Sequence, residues 1–167
     1  PPTPQVPPQA KTNPNTSGKF EKDVLKIADL IHNIGAYFYC DGANFNAITG
    51  NIKPGDFGVD VMHFNLHKTF STPHGGGGPG CGPIAVRENL KQFLPTPFAK
   101  KNADGSFSMV YESENSIGQI KGFFGQFTLM VRALTYIMSL GIDGLKQVSF
   151  DAVLSANYIL AKLKDHY

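Results

Sequence analysis

Residues 60–82 read DVMHFNLHKTFSTPHGGGGPGCG, and few folds accommodate such a stretch. An apolar run over residues 59–66 ends abruptly in His67, Lys68 and Thr69, and a loop of extreme glycine density follows. A second apolar run, residues 36–40 (AYFYC), ends in the same way at Asp41, Gly42, Ala43 and Asn44. Runs this short and this continuous suit strands buried on both faces, as in parallel sheets. In open α/β sheets the carboxyl-terminal strand edge is where ligands bind. The two runs therefore predict one site, with Asp41 and Lys68 facing it.

The rest of the pattern supports an α/β chain. Residues 1–9 (PPTPQVPPQ) have no apolar period and read as a disordered or linker-like tail, extended here to residues 1–11. A turn cluster follows at residues 11–18 (KTNPNTSG), with Thr16 or Ser17 as candidate caps. Residues 20–34 carry Val24, Ile27, Ala28, Leu30, Ile31 and Ile34 at helical spacing, closed by Gly35. Residues 45–50 suit a short helix and residues 51–57 a turn. Residues 83–86 (PIAV) read as a third strand, residues 87–93 as a short helix, and Asp104-Gly105 as a hairpin turn. Two helices end the chain, residues 123–140 and 142–164, separated by Gly141. Only about three strands can be found, fewer than a usual sheet, so part of a larger fold is expected.

Composition narrows the classes. The formal charge is +2, without a basic run, which argues against nucleic acid as a partner. The most apolar stretch contains Gln126 and Arg132 and suits a buried helix better than a membrane span. Two cysteines, Cys40 and Cys81, make no disulfide framework, and a reducing compartment is expected.

Each motif has a plain reading beside the chemical one. A lysine after a strand is usually a surface lysine, and an aspartate there is often a turn former. Together, an amine able to form a Schiff base and a carboxylate able to keep a pyridine nitrogen protonated match what pyridoxal 5′-phosphate (PLP) requires. The glycine loop either lets something approach its backbone, or moves, or is a slack linker. No Gly-Lys-Ser/Thr follows it, which excludes a Walker A loop. His63, His67 and His74 invite a metal reading. On one strand, however, His63 and His67 would lie roughly 13 Å apart at about 3.3 Å per residue, and no HExxH is present. Cys81 near His74 lacks a third group to complete a nucleophilic site.

TNPNTSGKFE (residues 12–21), YCDGANFNAI (39–48), the whole of residues 53–86 and LKQFLP (90–95) resemble the glycine dehydrogenase (decarboxylating) P-protein of the glycine cleavage system. FGQFTLMVRALTYI, LGIDGLKQVS and ANYILAKL resemble its bacterial-type C-terminal subunit. The resemblance runs from residue 12 to residue 167. It implies part of the large domain of a fold-type I PLP enzyme, aspartate aminotransferase-like, with an incomplete, mostly parallel sheet and flanking helices. It implies Lys68 as the Schiff-base lysine and Asp41 as the partner of the ring nitrogen. His67, Asn44, Thr16 and Asn13 would lie near the cofactor. His74, Gly75, Gly76, Gly77 and Gly78 would lie at the entrance for a lipoyl arm. The implied reaction is decarboxylation of glycine, with the aminomethyl group passed to the lipoyl group of the H-protein. The implied partners are that carrier and the other P-protein subunit, in a homo- or hetero-oligomer. The implied location is cytoplasmic, or the mitochondrial matrix in a eukaryote. Family members are far longer, and the strand expected just before Thr12 is replaced by PPTPQVPPQA. A fragment is therefore expected, binding PLP weakly, or acting only as a fold or association module.

Overall fold

The computed structural model describes residues 8–166. Four strands form one sheet in the order β1 (Gln9–Thr12), β2 (Phe38–Gly42), β3 (Val61–Phe64) and β4 (Ile84–Val86). The pairs β1–β2 and β2–β3 are parallel, and β4 closes the sheet antiparallel to β3. The expected α/β architecture, a mixed and mostly parallel sheet with flanking helices, is what forms.

The strand β1 was not expected. Its residues QAKT fall in the stretch read as a tail, yet Gln9 to Thr12 stand in register with Phe38 to Asp41. A parallel strand needs only backbone donors and acceptors facing its neighbour, so four residues without an apolar period can still form one. Residues 1–7 of the expected tail lie outside the described residues.

Helix α1 (Val24–Asn33) packs one face on this sheet. Val24, Ala28 and Ile31 meet Phe38 and Cys40 of β2 and Met62 of β3, with Ala36, Phe57 and Val59 completing the cluster. Phe38 is only 1% exposed. Fully burying a side chain of that size contributes roughly 1.5–3 kcal/mol. The helix starts four residues later than its periodicity suggested, and neither Thr16 nor Ser17 caps it. Instead Asn15 Oδ1 accepts hydrogen bonds from the Ser17 and Lys19 amides, closing the turn before the helix begins.

Asp60, 7% exposed, ties these layers together. Its Oδ2 accepts the Phe38 amide at 2.7 Å and lies 2.8 Å from His32 Nε2 of α1. Its Oδ1 faces Arg87 Nε at 3.1 Å. Its backbone bonds both Phe38 and Arg87.

Beyond β4 come a 3₁₀ turn (Glu88–Phe93) and a hairpin, β5 (Phe98–Lys101) with β6 (Phe107–Val110), turning at Asp104-Gly105 as expected. The two terminal helices form one element, α3 (Phe127–Leu163), interrupted at Gly141, whose φ of 62° and ψ of −173° leave the helical region. Ser149, 1% exposed, pins it by donating to the Asn46 and Thr49 carbonyls. The helix is less buried than expected: only Leu129, Ala133 and Ser149 are buried, and it meets the 3₁₀ turn Phe45–Ala47 and the buried Leu66 and Phe70 rather than the sheet face. By length and composition α3 could cross a membrane. The break at Gly141, however, leaves neither half an unbroken apolar run of the ~20 residues a span needs.

Candidate functional site

The parallel pairing of β2 with β3 puts their carboxyl-terminal ends side by side, and the functional candidates gather on that edge. Strand β2 runs two residues later than its apolar pattern suggested, so Asp41 lies within it rather than beyond it. Strand β3 is shorter than expected. Its last residues turn into a one-turn helix, α2 (Leu66–Thr69), which carries His67 and Lys68. The strand spacing assumed for His63 and His67 therefore does not apply.

On α2 the residues Leu66, Thr69 and Phe70 turn inward and are buried. Helical geometry places Lys68 off that face. Its amine is exposed rather than partly desolvated, and among the described residues it makes no ion pair or side-chain hydrogen bond. His67 is half-buried and meets the ring of His74 edge-on, with centroids 4.7 Å apart. Burial first, then His74 and the Lys68 charge, hold its pKa below the usual imidazole value. At neutral pH it is the uncharged form that faces the site.

Asp41 is half-exposed. Its Oδ1 accepts the Ala43 amide at 2.8 Å and stands 3.6 Å from His63 Nε2. The Asn44 carboxamide donates to the Pro14 carbonyl at 2.9 Å, fastening the β2 tip to the loop after β1. In that loop Asn13, 4% exposed, accepts the Glu21 amide through Oδ1 at 2.9 Å. Thr16 and Asn44 line a cleft of about 430 Å³ together with Asn46 and Asn157. Asp41 and Lys68 lie outside that cleft, so the structure divides the expected residues between the strand tips and a neighbouring groove.

Among the described residues, four buried side-chain atoms have no hydrogen-bond partner: Asn13 Nδ2, His67 Nδ1, Thr69 Oγ1 and Thr72 Oγ1. Each such group costs roughly 1–3 kcal/mol when left unpaired. His67 and Thr69 lie on α2 and Thr72 shortly after it, while Asn13 follows β1. An amine at one strand end and a carboxylate at the next fit two ends of PLP, its aldehyde carbon and its ring nitrogen. Asn13 and His67 were anticipated. Thr69 and Thr72 were not, and their signal was two hydroxyls in HKTFST directly after an apolar run.

The loop after α2 has Gly75, Gly76 and Gly77 at φ of 65°, 63° and 94°. Three successive residues in the left-handed region are open only to glycine. The Gly77 amide donates to His74 Nδ1 at 3.1 Å, which anchors the loop beside His67. Among the described residues no group of three or more His, Cys, Asp or Glu side chains could hold a metal. Cys81 packs with Leu66, Phe70 and Ala133, whereas burial pushes the Cys40 thiol up to about 11.

Gly42 also escaped notice as a site residue. A Cβ there would sit 2.1 Å from the His63 carbonyl oxygen. Gly42→Ala must therefore push β2 from β3 beside Asp41. A loss of about 3 kcal/mol is expected, read as a lower urea midpoint at unchanged slope. A midpoint within error of wild type would show that the strands do not meet this closely.

The aminotransferase class-V family matches residues 9–160. The chain is similar to a protein of Caulobacter vibrioides named glycine dehydrogenase (decarboxylating) subunit 2, at 57% identity over 159 residues, covering 92% of this chain and 30% of that protein. It is 55% identical over 153 residues to the Thermotoga maritima protein of the same name, covering 92% of this chain and 32% of that one. The chain thus spans about a third of the length of these relatives. Among solved structures it resembles mouse CSAD in apo form, with a TM-score of 0.61 at 17% identity over 94% of this chain and 32% of that one. It also resembles a chain of the SepCysS–SepCysE N-terminal domain complex, with a TM-score of 0.56 at 15% identity over 89% of this chain and 34% of that one. At such identities the likeness speaks for the fold alone.

Proposed function

The chain belongs to the aminotransferase class-V family, and on that premise we propose that it carries the lysine-bearing half-site of a PLP-dependent glycine decarboxylase of the glycine cleavage system. The observation that carries the reading is that Asp41 and the Lys68 turn stand at the adjoining ends of two parallel strands.

In this reading the Lys68 amine holds the cofactor covalently, and the Asp41 carboxylate keeps its ring nitrogen protonated. When bound, PLP supplies an electron sink for the carbanion left when glycine loses its carboxylate. Lys68 Nζ would serve as a proton shuttle, giving a proton to the lipoyl sulfur released when the other sulfur takes the aminomethyl carbon. His67, uncharged, and the Asn13 carboxamide offer neutral polar contacts that leave the charge balance to Asp41 and Lys68. Asn44 and Thr16 hold and line the loop at the cofactor's edge. The turn from His74 to Gly78 flanks the entrance, where a lipoyl arm must reach the carbanion. The products are carbon dioxide and the aminomethyl-bearing dihydrolipoyl carrier, and no nicotinamide takes part.

The test is release of labelled carbon dioxide from carboxyl-labelled glycine. Release is expected only when the chain, PLP, the lipoylated carrier and the other P-protein subunit are all present. A chain that takes up PLP but releases nothing in that mixture would favour the second reading, an association module without activity of its own. The observation on that side is the exposure of Phe127, Leu134, Met138, Phe150, Tyr158 and Leu163 along α3, a broad apolar surface.

A further inference from the structure

We propose that His63 is a positioning residue for the Asp41 carboxylate, with Tyr39 and Asn65 fixing its ring. The proposal rests on the reading of Asp41 as the carboxylate that meets the cofactor.

Side chains alternate along a strand, so Tyr39 and Asp41 share one face of β2, while Phe38 and Cys40 turn to α1. The register pairs Asp41 with His63 on β3, which brings all three onto the face away from α1. His63 Nδ1 is hydrogen-bonded to the Tyr39 hydroxyl. The two rings stack with centroids 5.8 Å apart and planes 21° from parallel. On the other side, His63 Nε2 stands 3.6 Å from Asp41 Oδ1 and 2.7 Å from Asn65 Nδ2.

One proton arrangement gives the Asp41 carboxylate a donor from the His63 ring. Burial, then the Asp41 and Cys40 charges, push the Tyr39 phenol above its ordinary pKa, so it stays a donor. Its O–H donates to Nδ1, and the ring proton therefore sits on Nε2, where the Asp41 carboxylate favours it. Exchanging the Asn65 carboxamide nitrogen and oxygen, which have the same shape, puts Oδ1 against this nitrogen as an acceptor. Asp41 Oδ1 is thus held by the Ala43 amide and faced by an imidazole N–H, which leaves Oδ2 to meet a ligand. Side chains that hold a ligating group from behind commonly set its orientation and basicity.

The first arm of the test needs no cofactor. Long-range ¹H–¹⁵N spectra of the chain, with the His63 signals assigned through His63→Gln, should show the Nε2–H tautomer. Tyr39→Phe and Asp41→Ala should each shift the ring nitrogens toward a tautomer mixture. Unchanged nitrogen shifts in both variants would overturn the proposal. The second arm measures PLP uptake. His63→Ala should weaken it about tenfold, and His63→Gln, which keeps a donor in place, should return it to within about threefold of wild type. Equal affinity of wild type and His63→Ala would also overturn the proposal. A wild-type chain that takes up no PLP sinks the functional reading instead, and the spectra then decide the His63–Asp41 coupling alone.

Discussion

Asp60→Ala should lower the stability of the protein by about 3 kcal/mol. The Asp60 carboxylate is buried and receives the Phe38 amide, His32 and Arg87 at hydrogen-bonding or ion-pairing distance. Removing it strands a buried backbone N–H on the central strand and unlinks α1 from the start of β3 and the end of β4. The figure sits at the low end for a broken buried pair because Arg87 and His32 are partly exposed and can turn to water. Asp60→Asn keeps an acceptor for the Phe38 amide and should recover roughly half the loss. Urea unfolding followed by circular dichroism measures both. A loss below about 1 kcal/mol for the alanine variant would mean that the three partners do not depend on the carboxylate.

This clamp was invisible in the sequence, and the reason is instructive. Asp60 stands at the boundary of an apolar run, where an aspartate usually ends a turn, and its partners lie far from it along the chain. Local pattern carries no information about such long-range pairing. The same limit hid β1: QAKT has no period, and only its register with β2 makes it a strand. By contrast, α1 and β2–β4 were legible because each must bury an apolar face, and burial imposes a period or a continuous run. Asp41, Lys68 and the glycine loop are read as site residues from chemistry and from resemblance. Gly42, Thr69 and Thr72 were missed because their part depends on close approach and on unpaired atoms, which only coordinates reveal. The exposure of Lys68 also differs from expectation, since its turn belongs to a helix and not to the strand.

Lys68→Ala should abolish covalent attachment of PLP at the strand-tip site. The wild-type chain, mixed with PLP and reduced with borohydride, should yield a peptide modified at Lys68. The alanine variant should show neither the visible absorption band nor that peptide. Absorbance alone is insufficient, because exposed lysines such as Lys22 also react with an aldehyde. The modified position has to be mapped. Lys68→Arg separates charge from nucleophilicity. A guanidinium keeps the positive charge but forms no Schiff base, so it should behave like alanine in the reduction and like wild type in stability. In the assembled mixture that releases carbon dioxide from glycine, both variants should fall on the order of 10³-fold, the scale for loss of a positioned proton-transfer group. Lys68 is exposed and makes no ion pair among the described residues, so neither substitution should move the urea midpoint by more than about 0.5 kcal/mol equivalent. That contrast is what gives the experiment force. A residue that matters for chemistry and not for folding loses the label and the activity while leaving the fold intact. A label that stays on surface lysines with unchanged yield in Lys68→Ala would remove Lys68 from the site altogether.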